Sequence, residues 1–139
     1  MQDLIHFLIK YWYFSLPFVV AIVLLFIEEA RSKGMLSQLS SHRAIQMMNR
    51  DQASVIDIRE KNLYKQGHIV GAINIPKKDL DVNTSKLENK KDKPIILVCA
   101  NGQQSGSLAS KLRKEGFKEV AALSGGMQSW QQDNLPIVK

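Results

Sequence analysis

The chain has 139 residues, 45% of them hydrophobic, and a formal net charge of +6; that length suits one domain with an accessory segment. A single cysteine, Cys99, excludes an intramolecular disulfide, a Cys-x-x-Cys redox pair and any multi-cysteine zinc site. From Arg31 onward 18 Lys and Arg stand against 10 Asp and Glu; they are not interleaved with aromatics in a repeated pattern, which argues against nucleic-acid binding.

The first 30 residues read as a membrane anchor. YWYFSLPFVVAIVLLFI, from Tyr11 to Ile27, is 17 residues without a charge, which as a helix covers about 26 Å. The preceding LIHFLIK adds apolar length, and Lys10 can snorkel to a headgroup. Residues 4–27 together reach the ~30 Å hydrocarbon thickness of a bilayer. Tyr11, Trp12 and Tyr13 suit an aromatic belt at one interface, and Pro17 lies near the first turns, where a missing N–H costs least. A cleaved signal peptide would need positive charge at its extreme N-terminus and a small-residue cleavage site. The chain instead begins MQDLIHF, and its apolar run ends in EEARSKG. A buried globular helix would still carry a polar face, and none is visible between Phe18 and Ile27. The expectation is one retained transmembrane helix within residues 1–30, followed by a linker over 31–40. Lys10 flanks one side, and Arg31, Lys33 and Arg43 flank the other. This asymmetry places the C-terminal domain, residues 41–139, in the cytoplasm, as a free cysteine also suggests.

Helical and strand-like pieces alternate through that domain. SSHRAIQMMNR opens on the N-cap candidates Ser40 and Ser41 and sets Ala44, Ile45, Met47 and Met48 on one face. SVIDI (54–58) predicts a strand, EKNLYKQG a short helix, and GAINIP (71–76) a strand stopped by Pro76. KLENKKDK (86–93) reads as a solvated helix end or loop, with contact to anionic lipid as the alternative. PIILVCA (94–100) is a near-continuous apolar run, the pattern of a parallel strand covered on both faces. A helix is expected over 105–116, a strand over 119–123, and in SGGMQSW a turn and short helix, with Trp130 packing it. Repeated short strands and helices predict an α/β fold, a parallel sheet flanked by helices.

Ligands of such sheets bind beyond the carboxyl ends of the strands, where Cys99 falls. Between it and the expected helix lies the turn Ala100, Asn101, Gly102, Gln103, Gln104, with Ser105 opening the helix. None of these is proline, so every backbone N–H is available. Gly102 permits a positive φ, which lets successive amides point inward as a nest. Such a cradle, with a helix N-terminus beside it, lowers a thiol's pKa and stabilises a thiolate or bound anion.

Cys99–Ser105 resembles the Cys-x4-Arg-Ser/Thr loop of single-domain rhodaneses, with Gln104 standing in the arginine's place. Three further stretches are similar: VIDIRE (55–60), YKQGHIVGAINIP (64–76) and LSGGMQSWQQDNLP (123–136). The resemblance spans about residues 37–137. With the anchor in front, the chain is similar to bacterial inner-membrane, single-span rhodanese-like proteins. It implies a rhodanese-like fold and a membrane-tethered sulfurtransferase or persulfide carrier. Its nucleophile would be Cys99, with Ala100, Asn101, Gly102, Gln103, Gln104 and Ser105 as the anion- and persulfide-binding loop.

No metal and no cofactor beyond a transient Cys99 persulfide is expected. The partners are a sulfane sulfur donor, a thiol acceptor and the membrane. Asp57 and Arg59 match the family's Asp-x-Arg, read as a supporting ion pair, and His68 matches its Gly-His as a packing residue. Glutamine brings neither charge nor a bidentate fork, so thiosulfate turnover is expected to be weak. The alternative is a catalytically weak module that binds membrane-protein partners, as in membrane-protein biogenesis. Relatives with phosphatase activity use a loop one residue longer that ends in arginine, which disfavours that chemistry here.

Overall fold

Why the sheet forms is clearest at its centre. In the computed structural model, which describes residues 2–35 and 38–139, strand β5 (Ile95–Val98) is fully buried along its length. Ile95 and Leu97, followed by Cys99, face one apolar cluster, while Ile96 and Val98 face another. The two-residue period of a strand makes this division. Both faces are covered, so apolar residues at every position are what the strand needs.

The chain forms two compact units, residues 1–35 and 36–139. In the second, β1 (Gln38–Leu39), α3 (Ser41–Arg50), β2 (Ser54–Asp57), α4 (Lys61–Gln66), β3 (His68–Ile69), β4 (Ile73–Asn74) and α5 (Lys77–Val82) precede β5. A 3₁₀ helix at Thr84–Lys90 lies between α5 and β5. The remaining elements are α6 (Gln103–Lys114), β6 (Val120–Leu123), α7 (Gly126–Gln132) and β7 (Ile137–Val138). The main sheet runs β1-β6-β5-β2-β4, with every pairing parallel. A two-stranded antiparallel sheet joins β3 to β7. Leu80, Leu87, Leu108 and Leu112 fill the cluster on one face of the main sheet, and Ala44, Met127 and Trp130 the other.

Several expected boundaries move. The stretch 71–76 contributes only the two paired residues of β4, because an edge strand stays paired only as far as β2 runs beside it. The solvated segment 86–93 turns out half structural: Leu87 is fully buried and Lys90 and Lys91 are half-buried, while Lys86 and Lys93 are exposed. Much of the expected 31–40 linker is ordered. The helix before it runs to Met35, and Gln38–Leu39 is β1, held on β6; positions 36 and 37 lie outside the described residues. The Ser40 side chain caps α3 by accepting from the Arg43 N–H at 3.4 Å.

The N-terminal unit corrects the expectation of one membrane-spanning helix. It consists of α1 (Gln2–Lys10) and α2 (Trp12–Met35), separated at Tyr11. Among the described residues no helix is long and apolar enough to cross a membrane. The interruption at Tyr11 divides the apolar stretch. The uncharged part of α2, from Trp12 to Ile27, reaches about 24 Å, short of a ~30 Å hydrocarbon core. Beyond it stand Glu28 and Glu29. Phe14, Phe18 and Phe26 on α2 are each about 70% exposed, an unusual state for aromatic side chains in water.

Candidate active site

Parity along β5 decides where the sulfur points. Cys99 follows Leu97 at the strand's two-residue period, so it shares the face that packs α6. The chain then turns at Gly102, whose φ of 90° lies in the left-handed region. A Cβ at that position would stand 2.8 Å from the Gly125 nitrogen, so glycine is required twice over, for conformation and for space. The turn brings the Gly102 N–H to donate to Cys99 Sγ at 3.0 Å.

Ser105, fully buried, completes the enclosure. Its Oγ lies 3.3 Å from Cys99 Sγ and 3.2 Å from the Gly102 carbonyl oxygen, and its one proton serves either the carbonyl or a thiolate at Cys99. Burial pushes the Cys99 thiol up. Hydrogen bonds from the Ser105 hydroxyl and from the backbone N–H groups of Ser105, Gly102 and Asn101 outweigh it and hold the thiol below its ordinary value. The arrangement favours a thiolate, which is the nucleophilic form.

The helix after the turn begins at Gln103, two residues earlier than Ser105. The reason is local: the Asn101 side chain accepts from the Gln103 N–H at 3.2 Å and stands in for the missing turn of helix. Gln103 and Gln104 therefore occupy the first turn of α6 rather than a loop. Both side chains are exposed, as are Ala100 and Asn101, while Gly102 and Ser105 are buried.

A second segment holds the loop from behind, and sequence reasoning gave it no part in the site. The Met127 N–H donates to the Cys99 carbonyl at 2.9 Å and the Gln128 N–H to the Ala100 carbonyl at 3.1 Å. Gly126, at φ 56°, lies so close that a Cβ there would collide with the Cys99 carbonyl oxygen. The Gly125-Gly126 dipeptide before a short helix was the available signal, since paired glycines mark a turn or a close backbone approach.

Asp57 and Arg59 meet one strand away. Asp57 pairs in register with Val98 across β2 and β5. Arg59 Nη2 donates to Asp57 Oδ2 at 2.7 Å and Nε to Oδ1 at 3.0 Å, and Nη2 also reaches the Gly67 carbonyl at 2.7 Å. The pair ties the end of β2 to the end of α4. His68 lies apart from the thiol's partners. Its ring stacks on Tyr64 with centroids 3.7 Å apart, and its Nδ1 is 2.9 Å from the Tyr64 carbonyl. Trp130 is buried and donates to the Pro136 carbonyl at 3.1 Å. Among the described residues no group of three or more His, Cys, Asp and Glu is placed to hold a metal ion.

A parallel sheet whose central strand ends in a cysteine, cradled by the amides of a turn into a helix, defines a sulfurtransferase-like fold. The chain belongs to the rhodanese-like domain family, whose model matches residues 40–133. It is 30% identical to YibN of Escherichia coli K12 over all of this chain and 99% of that one. It is 32% identical to the thiosulfate sulfurtransferase GlpE of Shewanella oneidensis over 69% of this chain and 93% of that protein. A rhodanese-related protein from Thermoplasma volcanium superposes with a TM-score of 0.65 at 28% identity, covering 73% of this chain and 96% of its own.

The Ser105 contact has a direct test. Ser105→Ala removes a donor that holds the thiol down, so its pKa rises and less thiolate is present at neutral pH. The rate of Cys99 alkylation by iodoacetamide, followed against pH, is expected to have its midpoint displaced upward. Its neutral-pH value should fall several-fold. An unmoved midpoint would show that Ser105 only fills space.

Proposed function

We propose that this protein is a membrane-tethered rhodanese-like sulfurtransferase or persulfide carrier acting through Cys99. The observation that carries this reading is the buried Sγ held by the Gly102 N–H at 3.0 Å with the Ser105 hydroxyl at 3.3 Å. In the first half-reaction the Cys99 thiolate attacks a sulfane sulfur. An S–S bond forms to Sγ, the donor's S–S bond breaks, and the leaving group departs with the electron pair. The loop amides and Ser105 hold the resulting persulfide. An acceptor thiolate then attacks the outer sulfur and returns Cys99 to its thiolate. One cysteine in the chain means that this acceptor comes from another molecule.

Incubation of the purified full chain with a sulfane donor is expected to add about 32 Da, one sulfur atom, at Cys99. Cys99→Ser, nearly isosteric, should abolish the adduct and keep the fold. No adduct with any of several donors favours instead a partner-binding module, for which the exposed, uncharged Gln104 is the supporting observation.

For the tether, exposed side chains such as Trp12, Phe14 and Phe18 within residues 4–27 call for an apolar cover, and the cover we assign is the bacterial inner membrane. The excess of Arg31, Lys33 and Arg43 over Lys10 supports a cytoplasmic domain. A reporter cysteine replacing Lys139 should resist an impermeant thiol reagent in intact spheroplasts and react once they are lysed. Labelling of intact cells would reverse the orientation.

A further inference from the structure

We propose that the sulfur donor suited to this site is an alkyl persulfide rather than thiosulfate; the inference rests on the sulfur-carrying reading of Cys99. What separates the two donors is the charge the site has to accept. Attack on thiosulfate brings a dianion up to a thiolate and expels sulfite, which leaves with two negative charges. Attack on the terminal sulfur of a protonated persulfide, R–S–SH, forms the Sγ–S bond and breaks the donor's S–S bond. It gives Cys99–S–SH and R–S⁻, a leaving group with one charge.

Among the described residues, the groups that hydrogen-bond the sulfur are not built for the larger charge. The groups that hydrogen-bond Cys99 Sγ, the Gly102 N–H and the Ser105 hydroxyl, are both neutral. Ala100, Asn101, Gln103, Gln104 and Ser105 supply no cation. Cations do follow the carboxyl ends of other strands of the sheet, and three of them face carboxylates. Arg59 is paired to Asp57, Lys77 to Asp81 and Lys78 to Glu60. Lys61 at the start of α4 and Arg43 in the first turn of α3 stand outside these pairs.

Cys99 itself is only 2% exposed, so a donor loses much of its hydration on reaching it. That loss is far steeper for a dianion than for a neutral molecule. A thiolate-stabilising nest of amides is sufficient for one negative charge and deficient for three, the nucleophile's and the donor's together.

The full chain in detergent, loaded with thiosulfate or with 2-hydroxyethyl persulfide, tests this. Cys99 persulfidation is read by intact mass, and each rate is divided by that of the same donor with N-acetylcysteine, which removes intrinsic reactivity. The normalised rate is expected to be about tenfold or more greater for the persulfide. Gln104→Arg should narrow the ratio about fivefold by raising the thiosulfate rate, since it returns a charge to the first turn of α6. Lys61→Ala should leave the ratio where it is. Equal normalised rates, or a thiosulfate rate that falls in Lys61→Ala, would overturn the donor assignment while the sulfur-carrying reading stands. Failure of both donors to load Cys99 would remove that reading and the donor assignment with it.

Discussion

Gly126→Ala is expected to destabilise the protein by about 2–5 kcal/mol and to slow sulfur loading of Cys99 together with it. Two costs combine at this position. The backbone sits at φ 56°, where an L side chain costs about 1–2 kcal/mol. The added Cβ would also collide with the Cys99 carbonyl oxygen and stand 2.8 Å from the Ala100 carbonyl carbon. Neither neighbour is a flexible side-chain end. Both carbonyls are held by N–H groups of α7, so relief requires the loop that carries the nucleophile to move. Gly71→Ala separates the two costs. Gly71 has φ 79° with nothing within 4 Å of its would-be Cβ, so its alanine variant shows strain without collision, about 1–2 kcal/mol. Thermal melting of the full chain in detergent, followed by near-ultraviolet circular dichroism, should lower Tm for Gly126→Ala well beyond the Gly71→Ala shift. Equal shifts would mean that the loop does not rest on Gly126.

The second large effect is expected at Asp57. Its carboxylate is 1% exposed and accepts from Arg59 Nε, Nη2 and backbone N–H. Asp57→Ala leaves a guanidinium, itself 10% exposed, that still donates to the Gly67 carbonyl at 2.7 Å but has lost its carboxylate. Removing one partner of a buried ion pair costs about 3–5 kcal/mol, whereas replacing both by apolar residues of similar size is often neutral. Asp57→Leu combined with Arg59→Met should therefore recover most of what Asp57→Ala loses in a urea titration. A single variant within about 1 kcal/mol of the wild type would place the pair among ion pairs of the ordinary exposed kind.

Much of the fold was open to inspection in one dimension because its signals are local. The run Ile95–Val98 announces a doubly covered strand by composition, and Ser40 announces a helix start through its own side chain. The position of Cys99 at a strand's end followed from the same pattern. The length of β4 did not, since an edge strand extends only as far as its neighbour pairs with it. The start of α6 depended on which way the Asn101 side chain turned. The apolar content of the N-terminal segment was legible, but its division at Tyr11 was not.

By itself, then, the sequence determined the parallel α/β class, the strand that delivers Cys99 and the uncharged character of the turn after it. Each of these is a property of residues adjacent in the chain: apolar run, side-chain period, presence or absence of charge. Only the tertiary structure decided what the sulfur meets. Parity on β5 points Cys99 toward α6, where Ser105 is buried against it. The approach of Gly126 and the two α7 amides, more than 25 residues further along, sets the loop's backbone. Arg59 is committed to the buried Asp57, and Lys78 reaches Glu60, 18 residues away, at the surface. Hydrogen bonds and excluded volume act across a few ångströms of space whatever the separation in sequence, so these contacts exist only once the sheet has brought its strand ends together.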